Sequence, residues 1–208
     1  MTRKTLIVTG FGAGLLYLTG DIVGGIITPD YNYVSNAVSE LIQSGAENRF
    51  ILSSFLFLHA LMIILFSIEF LRFHPIQKTR GTILGGILLL TVGVGHSLSS
   101  SIFPMDPVGA EATFPGTMHL VLVGITVLSI IVLMPLFGSG LHRNLRWKSF
   151  RSFTFICLAV IITAGISSPV VISKGIAVMG LTERMTAYTF YLWLSVLAFQ
   201  LNERIRMT

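Results

Sequence analysis

Charge is scarce in this chain: 11% of its 208 residues are Asp, Glu, Lys or Arg, against 53% hydrophobic, with a mean hydropathy of +0.82. Soluble domains carry charge on roughly a quarter of their residues, so a water-soluble fold is excluded. Cysteine is nearly missing as well. Cys157 stands alone, which excludes an internal disulfide and any cysteine cluster for a metal. No Gly-x-Ser-x-Gly, His-x-x-x-His or Glu-x-x-His pattern occurs, so neither a serine hydrolase nor a zinc enzyme can be read from local spacing. Asn-x-Ser/Thr acceptors are also lacking.

What is present is a series of long apolar runs. Crossing the hydrocarbon takes about 20 residues of helix, and six segments qualify: 5–28, 50–71, 82–103, 116–137, 152–172 and 183–201. They predict an all-α, polytopic membrane bundle of six transmembrane helices in a single domain. The basic start resembles a signal peptide, but its apolar run is too long for one, and it reads as a retained first span. The formal net charge of +5 does not point to nucleic acid, because the basic residues are distributed topologically. Arg3 and Lys4, then Arg72, Lys78 and Arg80, then Arg143, Arg146, Lys148 and Arg151, and finally Arg204 and Arg206 fall at one set of connections. The alternate set carries Asp30, Glu40 and Glu47 with Arg49, then Asp106 and Glu111, then Lys174 with Glu183 and Arg184. The positive-inside rule places both termini in the cytoplasm and the acidic loops outside the cell membrane.

Two helical stripes predict bundle-facing surfaces. One is Gly10, Gly14, Tyr17, Asp21, Gly24 and Thr28; the other is Arg184, Tyr188, Tyr191, Ser195, Ala198 and Asn202. In the outer loop 29–49, Val34, Ala37, Val38, Leu41 and Ile42 follow helical spacing and predict a short amphipathic helix, lying in the interface or over the bundle mouth. Glu69 and Arg72, three residues apart, suit a local ion pair. Ser167, Ser168 and Pro169 suit a bend, and Trp147, Tyr31 and Tyr33 suit interface anchors.

Ionisable groups inside a membrane are costly and mark functional sites. Asp21, His59, His96 and His119 lie on four different spans, each in the outer half; His59 and His96 sit about 14 Å and about 10 Å below the outer ends at 1.5 Å per residue. His74 and His142 fall in cytoplasmic loops. Three imidazoles and a carboxylate suffice to hold zinc or another transition metal, with a position left for an activated water. Histidines on separate helices also admit haem, Ser100 lies one turn from His96, and acid–base work by Asp21 and a histidine needs no metal. A guanidinium fork at Arg49 or Arg184 suits an anionic head group.

The segments Val34-Ser-Asn-Ala-Val-Ser-Glu-Leu41 with Gly45 and Glu47-Asn-Arg49, Phe103-Pro-Met-Asp106 with Gly109, Gly116-x-x-His119 and Gly180-Leu-Thr-Glu-Arg184 resemble the domain-of-unknown-function 998 family of prokaryotic multi-pass membrane proteins. Glu47 stands where proline is expected, and Glu183 where glutamine is usual. The resemblance implies a six-span bundle and roles for Ser39, Glu40, Asn48, Arg49, Asp106, His119 and Arg184, without a named reaction. The resulting expectation is an enzyme with an outward-facing site for a lipid or lipid-linked substrate. Asp21, His96, Asp106 and His119 would be catalytic, and Ser39, Glu40, Asn48, Arg49 and Arg184 would bind substrate. Asp21, His59, His96 and His119 would serve as ligands if a metal takes part. An ion- or solute-coupled carrier and a structural or sensory subunit are the alternatives. Membrane lipid is the expected partner.

Overall fold

The computed structural model describes residues 4–73, 79–140, 147–174 and 176–207, apart from the side chains of 4, 73, 140, 168–173 and 203–207. Arg3, His74, Lys78, His142, Arg143 and Arg146, and the side chains of Lys4, Ser168, Pro169, Arg204 and Arg206, therefore lie outside the described residues. The described residues form six long helices: α1 Lys4–Ile27, α2 Arg49–Phe73, α3 Arg80–Ser101, α4 Phe114–Gly140, α5 Lys148–Ser173 and α6 Met179–Met207. A 3-10 helix, Val38–Ile42, lies between α1 and α2, and no strand occurs among the described residues. Helices α1 to α5 are long and apolar enough to cross a membrane; α6, which carries Glu183, Arg184, Gln200 and Asn202, falls short of that apolarity.

Most helices run past their apolar stretches, because backbone hydrogen bonding continues into the polar ends. Helix α3 starts at a reciprocal cap in which Thr82 N donates to Thr79 Oγ1 at 3.1 Å and Thr79 N to Thr82 Oγ1 at 3.0 Å. It stops at Ser101, short of the expected Phe103. Phe103 precedes Pro104, whose ring disfavours helical geometry in the residue before it, and the Ile102 and Phe103 amides both turn back to Leu98 O at 3.0 Å.

The helices form an up-and-down ring in which each packs on its neighbours in sequence and α6 closes on α1. Small residues make the close approaches. A Cβ at Gly93 would lie 2.8 Å from Ile64 Cγ1 and 3.0 Å from the Ile64 amide, so α2 and α3 touch backbone to backbone there. The stripe on α1 faces inward, with Gly10 against Ala198 and Phe66, Gly14 against Tyr191, and Gly24 against Leu41 and Leu52. The α6 stripe meets it, Tyr191 and Ala198 being buried.

Aromatic packing fills the half of the ring remote from the 3-10 helix. Phe70 and Phe137 stand 5.2 Å apart, Phe137 and Trp193 5.6 Å, and Phe190 stacks on Trp193 at 6.0 Å, while Trp193 Nε1 donates to Thr154 Oγ1 at 3.0 Å. Trp147 belongs to this core. It is 2% exposed and packs on Phe150 at 5.5 Å, where the sequence suggested an interface anchor. The expected Glu69–Arg72 ion pair does not form: Arg72 points outward and Glu69 is buried, with Oε2 unpartnered. Polar residues are thereby left to gather at the opposite end, beneath the 3-10 helix.

Candidate functional site

The chain returns from α1 through a loop whose polar side chains bond mainly to their own backbone. Asn32 Oδ1 accepts from the Val34 and Ser35 amides at 2.9 and 3.3 Å, and Asn36 Oδ1 accepts from Asn32 N at 2.9 Å. Glu40 turns back to take the Ala37 amide at 2.8 Å and Asn36 Nδ2 at 2.8 Å, which caps the 3-10 helix. Ala37, Val38, Leu41 and Ile42 are buried, so the segment folds over the bundle mouth.

Arg184 fastens this lid to the helices. Its Nε donates to Asp21 Oδ2 at 2.9 Å and Nη2 to Asp21 Oδ1 at 2.7 Å; the second Nη2 proton goes to Tyr31 Oη at 2.5 Å, and Nη1 serves the Tyr33 and Asn36 carbonyls at 2.7 and 2.9 Å. All five guanidinium protons are used. Tyr31 and Tyr33 flank the cation at 5.5 and 5.0 Å from their ring centres. Tyr188 Oη also donates to Asp21 Oδ2. Burial pushes the Tyr31 phenol well above its usual pKa, against the pull of Arg184. Gly180 is required at the start of α6, since a Cβ there would overlap the Asn36 carbonyl.

Beneath the lid lies a cavity of about 120 Å³, room for roughly four waters at ~30 Å³ each. Val38, Ser39 and Ile42 roof it. Its lining mixes apolar residues, Leu56, Val123, Val127, Ile130 and Phe190, with polar ones, His96, Ser99, Ser100, His119, Thr126, Glu183, Thr186, Tyr17 and Tyr191. Glu183 Oε2 accepts from the Val38 amide at 2.8 Å, which ties the cavity's acid to its roof.

The partners of the histidines fix their neutral tautomers. A carbonyl only accepts, so His119 Nδ1 is the protonated nitrogen, donating to Phe103 O at 2.8 Å with Ser99 O at 3.3 Å. Its Nε2 keeps a free lone pair. His59 Nδ1 donates to Ala13 O at 3.0 Å, and its Nε2 accepts from Tyr191 Oη at 3.1 Å. With its proton given to His59, the Tyr191 oxygen can only accept from His96 Nε2, at 3.5 Å. That leaves His96 Nδ1 unclaimed. His96 and His119 thus each present one basic nitrogen, on rings that line a single cavity, while His59 is satisfied on both sides.

Asp106 orders the rim behind His119. It accepts from the Thr113 amide at 2.8 Å and the Thr113 hydroxyl at 2.7 Å, and these bonds hold its carboxyl below the usual carboxylate range. Gly116 lets the carboxylate approach α4, because a Cβ there would overlap it. The loop carbonyl of Phe103 then meets the His119 ring.

The structure thus separates residues that the sequence had grouped. Among the described residues no three of His, Cys, Asp and Glu are arranged to hold a metal. Asp21 is committed to Arg184 and Tyr188, and His59 to Ala13 and Tyr191, so Asp21, His59, His96 and His119 do not form one ligand set. Arg184 has no proton left for a head group. Ser39 lines the cavity and contacts Met105 Sδ at 3.3 Å, Glu40 caps the lid, Asn48 Nδ2 ties α2 to the Ile27 carbonyl at 3.1 Å, and Arg49 faces a separate groove. Glu183, Tyr17 and Tyr191 were not singled out for the site. Tyr191 lay on the α6 stripe beside Arg184, a signal of inward facing, but only tertiary packing shows it between two histidines.

No curated protein and no solved structure matches the chain significantly. The family model for "Protein of unknown function (DUF998)" matches residues 11–200. The segments that carry Asp106, Gly116, His119, Gly180 and Arg184 all fall inside that match, and the chain belongs to the domain-of-unknown-function 998 family.

Proposed function

We propose that this protein is a cell-membrane enzyme that performs acid–base chemistry on a lipid or lipid-linked substrate in the cavity under the lid. The observation that carries the reading is the pair of imidazoles, each held through one nitrogen by a fixed partner and each with its other nitrogen unclaimed on a ring lining that cavity. Such a pair can take a proton from one substrate atom and return it to another. Glu183 supplies a carboxyl beside them. The cavity takes the reacting head of such a lipid and its apolar lining the first methylenes of the chain, and the family-implied residues Asp106 and Ser39 position His119 and close the roof.

In this reading all six helices cross the membrane, α6 being sheltered by α1 and α5, which tolerates its polar stripe. The basic connections and both termini face the cytoplasm, so the lid and cavity face outward. Arg184 and Asp21 act as the clasp of the lid rather than as substrate ligands.

The test is turnover. Purified protein in vesicles made from total membrane lipid should consume one lipid species, followed by mass spectrometry of the extract. His96→Ala and His119→Ala should each lower the rate by about 10²- to 10⁴-fold, the usual range for a general acid or base, in protein that still melts cooperatively, although His119→Ala also strands the Phe103 carbonyl and costs some stability. No lipid consumed by wild type, or equal turnover in the double variant, would contradict the proposal.

A further inference from the structure

A second groove, of about 870 Å³, opens on the flank of the bundle at the lid end, between Arg49, Ser53, Ser54, Phe57 and Leu58 of α2 and Ser101 of α3. It shares no lining residue with the cavity. Its head holds two opposite charges, Glu47 and Arg49, that do not pair with each other or with any other described residue. The Arg49 Nε is buried and without a partner, and a buried cationic donor left unsatisfied is costly. The rest of the guanidinium is not buried, and no described residue matches its charge. Glu47 is exposed two residues away and makes no hydrogen bond of its own. Below the charges the surface turns apolar and open, with Phe50 84% exposed and Phe57 and Leu58 each 43%.

We infer that this groove binds a zwitterionic phospholipid whose head carries a phosphodiester and a primary ammonium. The two Nη groups of Arg49, which are not buried, take two phosphate oxygens. The ammonium, a few bonds further on, donates to Glu47, and the acyl chains run along Phe57 and Leu58. A free phosphate would leave the apolar wall bare and the Glu47 carboxylate facing a like charge. A quaternary ammonium has no N–H to donate to Glu47, and a glycerol head offers it no charge. The groove thus distinguishes among head groups, and it binds a lipid apart from the substrate of the cavity under the lid.

The experiment is native mass spectrometry of the full chain released from detergent, titrated with phosphatidylethanolamine, phosphatidylcholine or phosphatidylglycerol. Wild type should bind one phosphatidylethanolamine, tighter than phosphatidylcholine by about two- to fivefold, the size of an exposed ion pair. Arg49→Gln should weaken binding by at least about tenfold, a charge-assisted bond's worth. Glu47→Gln should abolish the head-group preference and leave phosphatidylcholine binding unchanged. Thermal melting confirms the fold of each variant, and Ser54→Phe, which fills the groove without touching either charge, should also lose the bound lipid. Equal retention by Arg49→Gln, phosphatidylglycerol binding as tightly as phosphatidylethanolamine, or displacement by millimolar inorganic phosphate would each overturn the assignment.

Discussion

Replacing Asp21 by Ala tests how the lid is held. The carboxylate accepts two guanidinium bonds, at 2.9 and 2.7 Å, and the Tyr188 hydroxyl. It is 0% exposed and its partner Arg184 is 6% exposed, so water does not replace what is lost. Removing one member of a buried pair costs about 3–5 kcal/mol, because the remaining charge stays desolvated. This is a large part of the 5–15 kcal/mol that typically holds a domain together. Arg184→Lys asks a sharper question. An ammonium has three protons for the five bonds that the guanidinium makes, so it can keep the carboxylate only by giving up Tyr31 or the Tyr33 and Asn36 carbonyls. The assay is reversible unfolding in mixed micelles, with limited proteolysis of residues 29–49 alongside. Asp21→Ala should lose several kcal/mol, and Arg184→Lys should leave the bundle folded but the lid readily cut. A loss under about 1 kcal/mol for Asp21→Ala, or a lysine variant as protease-resistant as wild type, would refute the clasp.

His59→Leu should destabilise by about 1–3 kcal/mol, since it strands the buried Ala13 carbonyl and Tyr191 hydroxyl; equilibrium unfolding reads this. Gly93→Ala should cost about 1–3 kcal/mol through overpacking against Ile64, measured the same way. The Asp106 carboxyl is held below its usual range, so its contribution to folding is complete above the unfolded value near about 3.9 and disappears as pH falls through the lower folded one. Protection factors against hydrogen exchange in residues 103–113 should therefore stay high at pH 5 and fall only in stronger acid, while Asp106→Asn should be less protected at both.

The helices were legible because the apolar runs of α1 to α5 are long enough to cross a membrane, and the two helical stripes showed which faces of α1 and α6 turn inward. Inward facing did not reveal partners. Asp21, His59, His96 and His119 read as one set because they share a depth, but depth leaves the angle around each helix open. The ring order assigns Asp21 to Arg184, 163 residues away, and His59 to Ala13 and Tyr191. Glu69 and Arg72 failed for a related reason: three-residue spacing permits a pair, but one side chain turned into the bundle and the other out. Trp147 was placed by its position near a helix end, although its ring packs on Phe150.

The most direct test of the cavity is nitrogen-15 nuclear magnetic resonance of histidine-labelled protein in lipid nanodiscs, with each ring assigned by a His→Gln variant. The account predicts His59 and His119 protonated at Nδ1 and His96 at Nε2, with the bare nitrogens of His96 and His119 shifting when a substrate lipid is added and that of His59 unmoved. His119 protonated at Nε2, or a lipid-induced shift at His59 alone, would contradict it.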